Sequence, residues 1–333
     1  MAQKPTIGLV AKRAGVSVAS VSRVINGTLA RPATEKRVRA AIEELGYQPN
    51  SAARALKVQQ SEQICLSFAD VGNPAYLALT RGINNVVRDS KYRLILSSSV
   101  SNEDQIATHL QSLGSGFADG LIISPIVTNQ HITELLRSLR IPTVLIGTLP
   151  AGLNIDNVYI DSAKGVELAV EHLKTIGKKK IAFVNGPVTT NPGKRRHKGF
   201  VSAMERHKLK FTDASIFYVK DFTSEAAIHE LSTNSDIFKF DAIICANDLI
   251  AAGVIHLLLA AGKNVGSEVA VVGMDNTELG KILYPTLTSV DLMAEKRGEI
   301  AAEMLLERMT SNRSEPKKIE VKPKIVIRDS SKR

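Results

Sequence analysis

IGLVAKRAGVSVASVSRVIN, residues Ile7 to Asn26, reads as two short helices around a tight turn. Val10, Ala11, Ala14, Val16, Val21 and Ile25 are small or apolar and let two helices cross closely. Gly15 falls in the turn, where a left-handed backbone needs a residue without a Cβ. Ser17 stands just before the second run as an N-cap, its hydroxyl placed to accept from an orphan N–H. Val21, Val24 and Ile25 give the second helix an inward side, which leaves Val18, Ala19, Ser22 and Arg23 outward. This is the pattern of a helix-turn-helix whose second helix enters a DNA major groove. A plain helical hairpin with a basic surface would show the same spacing, so the rest of the chain has to decide.

Charge is unevenly placed. The whole chain carries +10, and residues 1–60 hold ten Lys or Arg against Glu35, Glu43 and Glu44, leaving +3 for the other 273 residues. A basic module on a nearly neutral body is an electrostatic footprint of nucleic-acid binding. At 333 residues the chain exceeds the size at which one core usually divides. No apolar run is long enough to span a membrane and no secretory leader precedes the first helix, so a cytoplasmic protein without membrane contact is expected. Cys65 and Cys245 lie in apolar runs and read as buried thiols rather than a disulfide or a zinc site, so neither a metal nor a cofactor is expected.

After Asn26-Gly27 a third helix is expected, capped by Thr34, with Val38, Ala41, Ile42 and Leu45 on its inner face and Gly46 at its end. Pro49 then excludes helix at Gln48, and Asn50 can cap a short Ala-rich helix over 50–57 that is too brief to be stable alone. From Gln63 onward, apolar runs at 64–68, 94–97, 121–124, 143–147, 158–160, 181–184, 216–219, 242–245 and 269–273 alternate with helix-period segments at 75–90, 130–140, 162–177, 193–208, 224–234 and 248–262. Such alternation predicts an α/β fold of parallel sheets with helices on both faces, in two lobes of about ten strands in all. Residues 310–323 read as a polar loop, and 324–327 as a returning last strand.

Catalysis finds no support. Gly114, Gly116 and Gly120 in GSGFADG follow a helix and precede a strand, the reverse of a dinucleotide cradle, and no P-loop, HExxH or GxSxG pattern is present.

AGVSVASVSRVING (14–27), EELGYQPNSAARAL (43–56), VNGP (184–187), RRHKGF (195–200), ANDLIAAG (246–253), VAVVGMDN (269–276), PTLTSV (285–290) and VIRDSS (326–331) together resemble the lactose/galactose repressor family over nearly the whole chain. The resemblance implies a helix-turn-helix headpiece (1–48), a hinge helix and linker (49–61) and a two-lobed core like the periplasmic sugar-binding proteins (62–333). The first lobe would comprise about 62–160 plus 292–318, and the second about 161–291 plus 319–333. It implies a homodimeric repressor on palindromic double-stranded operator DNA, released by a small molecule: a sugar, sugar acid or phosphosugar. Two other readings are a corepressor-dependent regulator, in which ligand tightens DNA binding, and a solute-binding protein.

Carried onto this chain, the DNA contacts fall on Thr6, Ser17, Val18, Ala19, Ser20, Ser22, Arg23, Asn26, Asn50, Ala53 and Leu56. Val18 and Ala19 can meet only apolar groups such as a thymine methyl, Arg23 suits guanine or phosphate, and Leu56 is the family's minor-groove wedge. The effector contacts fall on Asn73, Ala75, Tyr76, Arg196, Phe222, Asn247 and Asp275. Three departures stand out. Leu9 replaces an acid that would complete a capping box with Thr6, Gly147 replaces an aspartate, and Pro192 replaces a serine-like residue. Lys194, Arg195, Arg196 and Lys198 form a basic cluster that would suit an acidic ligand, or else a solvated helix face.

Overall fold

A helix forms where apolar spacing coincides with satisfied end groups. Both conditions are met at the N-terminus of this computed structural model, which describes residues 5–28, 30–48, 60–98, 103–311 and 313–332. Helix α1 (Ile7–Ala14) is capped by Thr6, whose hydroxyl accepts from the Leu9 amide at 3.4 Å, and ends at Gly15 with φ +63°. Helix α2 (Val18–Ile25) is capped by Ser17, which accepts from the Ser20 amide at 3.1 Å. Helix α3 (Pro32–Leu45) starts earlier than Thr34, because a proline at the first helical position has a suitable φ and lacks an N–H that would be orphaned there. Val10, Ala11, Ala14, Val21, Val24, Val38 and Ala41 make one small core, and Arg13 ties α1 to Glu44 of α3 at 2.6 Å.

Residues 62–333 form a second compact unit. Its first sheet holds β1 (Gln63–Phe68), β2 (Arg93–Ser98), β3 (Gly120–Ser124), β4 (Thr143–Ile146), β5 (Asp156–Ile160) and β11 (Lys318–Val321), all parallel, in the order β11-β5-β4-β3-β1-β2. Ile64, Leu66 and Phe68 pack with α4 (Pro74–Val87) and α12 (Ala294–Thr310) on one face. Cys65 packs with α5 (Glu103–Ser112) and α6 (Gln130–Ser138) on the other. Covering both faces is why the run 64–68 is apolar throughout rather than alternating.

The second sheet holds β6 (Ile181–Asn185), β7 (Ile216–Tyr218), β8 (Ala242–Cys245), β9 (Ala270–Met274), β10 (Thr288–Asp291) and β12 (Lys324–Val326), in the order β12-β10-β9-β8-β6-β7, with only β12 antiparallel. Around it lie α7 (Ser162–Thr175), α8 (Asn191–Arg206), α9 (Ser224–Leu231), α10 (Asp248–Ala260) and the short α11 (Glu278–Ile282).

The chain passes between the sheets after β5, after β10 and between β11 and β12. The third passage lies at Lys322-Pro323 rather than near residue 318, since Ile319 and Val321 still pair with Val158 and Ile160. Residues 310–323 are therefore not all loop. In β11 the charged Lys318 and Glu320 are exposed while Ile319 and Val321 are half-buried, so the segment's polarity masks a period of two. Helices α5 and α12 and strand β10 also lie outside the expected set.

Two features fix α12. The buried carboxylate of Asp156 accepts from Arg308 at 2.6 Å and Arg313 at 2.8 Å. Burial alone would raise its pKa, but these guanidiniums bring it down to about 2. At the other end, α4 and α12 cross at glycines. A Cβ on Gly82 would lie 2.0 Å from the Glu295 carbonyl oxygen, and one on Gly298 2.3 Å from that of Leu79. Gly82→Ala is therefore expected to destabilise the core by roughly 1–3 kcal/mol through forced helix separation. Urea denaturation measures this, with Gly8→Ala, whose Cβ meets nothing nearer than Thr6 Oγ1 at 3.7 Å, leaving the core transition in place.

Candidate functional site

The outward side of α2 is polar and small. Ser17, Val18, Ala19, Arg23 and Asn26 are exposed, and Ser20 and Ser22 are half-exposed. Val18 keeps 49% of its surface although Val21 and Val24 on the same helix are buried, so its apolar side chain is not used for packing. Among the described residues no acid pairs with Arg23, whereas Arg13 and Arg39 are held by Glu44 and Glu35. Ser17 Oγ also bonds Ser20 Oγ at 2.9 Å, and Ser22 Oγ accepts from Asn26 Nδ2 at 3.3 Å. Thr6 is exposed and spends its hydroxyl on the α1 cap. Asn50, Ala53 and Leu56 lie outside the described residues.

In the core, parallel strands carry their following loops to one edge, and the two sheets face each other there across a cleft. A cavity of about 150 Å³ lies in it, the size that holds one six-membered ring. Asn73, Ala75, Tyr76, Arg196, Phe222, Asn247 and Asp275 all line this single cavity. The first three come from the start of α4 in the first lobe, and the others from loops and helix starts of the second. Asn191 joins the lobes across the mouth: its amide donates to the Ile126 carbonyl at 2.7 Å and its Nδ2 to Thr128 Oγ1 at 3.0 Å.

Each polar group is positioned by local structure. Asn247 caps α10, accepting from the Ile250 amide at 2.8 Å, while its Nδ2 donates to the Phe222 carbonyl at 2.8 Å. It thus holds the Phe222 loop as well as facing the cavity. The Phe222 ring lies over Gly186, where a Cβ would come within 2.4 Å of the ring, which explains the glycine of VNGP. The Arg196 guanidinium lies 5.9 Å from the centre of that ring, donates to the Ala246 carbonyl at 2.7 Å and stands 3.7 Å from Asp275.

Asp275 sits on a strained turn: it has φ +107° and Asn276 has φ +53°, a region disfavoured for side-chain-bearing residues. The turn is braced from behind. The buried Asp248 carboxylate accepts from the Thr277 amide at 2.7 Å, from its hydroxyl at 2.9 Å and from Ser289 Oγ at 2.6 Å. Asn276 accepts from Arg328 at 2.6 Å. A Cβ at Gly273 would lie 2.5 Å from Asp248 Oδ1. ANDL, GMDN, TSV and VIRD are therefore parts of one brace around a single carboxylate. Burial pushes the Asp275 pKa up to about 7. Arg196 and then Arg297 pull it down, while Asp248 and Asp291 add to the rise. Burial likewise takes Tyr76 up to about 12.

The expected basic cluster divides. Arg195 and Arg196 line the cavity, whereas Lys194 and Lys198 are exposed and do not. A residue absent from the expected set, Arg297, lines it from the first turns of α12. Its signal was a lone arginine just past the second lobe's last core strand, in a segment with no strong apolar period. Gly147 also lines the cavity with φ +124°, so the loop after β4 brings no carboxylate there. Pro192, at the start of α8, brings a wall without a hydrogen-bond donor.

Among the described residues no group of three or more His, Cys, Asp or Glu could hold a metal ion, and no helix is long and apolar enough to cross a membrane. Both described cysteines are buried and unbridged.

Residues 6–50 match the bacterial regulatory proteins of the lacI family, and residues 170–331 match the periplasmic binding protein-like domain. The chain is 34% identical to catabolite control protein A of Priestia megaterium over 98% of its own length and 99% of that protein. It is also 34% identical to the HTH-type transcriptional repressor PurR of Serratia proteamaculans, over 98% and 96%. Among solved structures, the transcriptional regulator CelR–cellobiose complex matches with TM-score 0.74 and 26% identity over 98% of this chain and 100% of that one. The lac repressor dimer bound to operator and the anti-inducer ONPF shares the fold, with TM-score 0.86 and 23% identity over 99% and 100%. With a helix-turn-helix at one end, a two-lobed cleft at the other and transcriptional regulators rather than enzymes as relatives along its whole length, the chain belongs to the lacI family of bacterial regulatory proteins.

Proposed function

We propose that the protein is a cytoplasmic homodimeric repressor whose two headpieces read the halves of a palindromic operator and which a small sugar-derived effector, held in the core cleft, releases from DNA. The observation that carries this reading is the convergence of seven separately placed residues on one cavity, in a chain whose other unit presents an unpacked helix face with Val18 and Arg23 exposed. On that face Val18 and Ala19 meet apolar base edges, Arg23 meets guanine or phosphate, and Ser17, Ser20, Ser22, Asn26 and Thr6 position the helix on the backbone. Asn50 caps the hinge helix, Ala53 gives it a small face, and Leu56 enters the minor groove. The 1–48, 49–61 and 62–333 division then corresponds to reader, coupler and sensor. The Asn191 bridge supports a closed form of the cleft as one of two states between which effector selects.

Selection of bound duplexes from a random-sequence library with the full-length protein tests the reading. Enrichment of a palindrome supports it; no sequence preference over random DNA, or an effector that strengthens operator binding, overturns the repressor or its sign. Arg196→Ala is expected to weaken effector binding by about 100-fold or more, since it removes a buried charged donor, while ligand-free operator affinity stays within about twofold. Fluorescence anisotropy with and without effector reads both quantities. Leu56→Ala should reduce operator affinity far more than affinity for random duplex, whereas equal losses would exclude the wedge.

Asp275 gives a pH signature. Its folded pKa of about 7 lies above the ordinary aspartate value of 3.8, so between these values the folded form binds more protons than the unfolded form. Stability must then fall as pH rises through that window and level off above it. Ligand-free wild type is expected to lose stability relative to Asp275→Asn from about pH 4 to 7, measured as the difference in urea midpoint at each pH.

A further inference from the structure

The cleft has more positive charge than it can use on itself. Three guanidinium groups line it, from Arg195, Arg196 and Arg297, against the single carboxylate of Asp275. Arg196 already engages the Ala246 carbonyl and Asp275, and Arg195 is paired with Asp161 at 3.1 Å outside the cavity wall. The Arg297 side chain makes no hydrogen bond or ion pair among the described residues, and its Nε is buried without a partner. Burial chiefly, with the like charge of Arg196 adding to it and Asp275 and Tyr76 opposing, lowers the Arg297 pKa. Two guanidiniums, one from each lobe, therefore line a cavity whose wall carries the single carboxylate of Asp275, and that carboxylate is paired with Arg196. Burial raises the pKa of that acid, which resists the charge that would offset a second guanidinium. Gly147 and Pro192 bring no further acceptor side chain to the wall.

A neutral polyol would fill the cavity and leave Arg297 an unpaired, partly desolvated cation, a costly arrangement. An anion would satisfy it with charge-assisted, bidentate bonds. We propose that the ligand of this cleft carries an anionic group, a phosphate or a carboxylate, seated against Arg297. The inference rests on reading the cleft as the effector site and adds the chemical class of what enters it. Because Arg297 belongs to the first lobe and Arg196 to the second, an anion between them also favours the closed arrangement over an open one, in which the two charges would be solvated separately.

The test uses full-length protein and its Arg297→Gln and Arg297→Lys variants. Thermal unfolding of the core is followed in inorganic phosphate against chloride at equal ionic strength. Isothermal titration is then run with glucose, glucose 6-phosphate and gluconate. The expected result is a saturable rise in melting temperature with phosphate that is lost in Arg297→Gln and partly retained in Arg297→Lys. A charged sugar should bind at least about tenfold more tightly than glucose to wild type alone, and the ester and the acid show which anion fits. Ligand-free Arg297→Gln should be as stable as wild type or more so, because the buried cation is gone; a less stable variant would count against the uncompensated charge. A phosphate effect that persists in Arg297→Gln places the anion elsewhere, on the headpiece for example, and overturns the proposal. So does Arg196-dependent binding of glucose as tight as that of its charged derivatives, although the cleft would then remain the effector site. If neither phosphate nor any of the three sugars shifts the core, the anion proposal fails; if other ligands also bind independently of Arg196, the effector reading fails with it.

Discussion

The crossing of α4 and α12 at Gly82 and Gly298 is the constraint on which one wall of the cleft depends. Each glycine leaves space for a carbonyl oxygen of the opposite helix, so the two backbones approach as closely as chemistry allows. Both helices begin at the cleft, one after Asn73 and the other after Met293. Fixing their separation fixes how far Tyr76 stands from Arg297. The sheet beneath them contributes little polarity of its own; it supplies a rigid platform of Ile64, Leu66, Ile122, Val144 and Val158 on which the helix pair rests.

The opposite wall is governed by electrostatics. Asp275 is held at a strained backbone position by a brace that the cavity never touches, and its charge is resisted by burial and by Asp248 behind it. Strain and an unwilling carboxylate both make the free site less stable than it could be. Structures keep such features where a ligand completes them. The first wall shows the same character in Arg297. The cleft is thus poorly satisfied on both sides, in contrast to the Asp156–Arg308–Arg313 cluster, where a buried acid is fully met by two cations and has a purely architectural part.

Much of this was legible from sequence because the signals were local. Caps at Thr6 and Ser17, the turn at Gly15 and the doubly buried run at 64–68 follow from residue type and period, and the seven cleft residues followed from motifs whose order matched a known family. What escaped had physical reasons. Thr34 resembles a cap, but Pro32 had already set the backbone. Strand β11 alternates charge with apolar residues and reads as loop when averaged. The basic run at 194–198 reads as one cluster, yet helix residues four apart share a face, so Lys194 and Lys198 are exposed together while Arg195 and Arg196 reach the cavity. Arg297 meets them from a stretch about 100 residues away in sequence, a juxtaposition that only the fold creates.

The third passage between the lobes has a mechanical consequence. Only Lys322 and Pro323 separate β11 from β12, so the ends of these two edge strands stay within about 11 Å of each other in any state. That margin behaves as a pivot. Strand β1 lies four places from β11 in its sheet, roughly 19 Å of lever arm at the spacing of neighbouring strands. The segment arriving from the N-terminal unit joins the core at β1, so a slight swivel at the pivot is delivered there as a larger displacement.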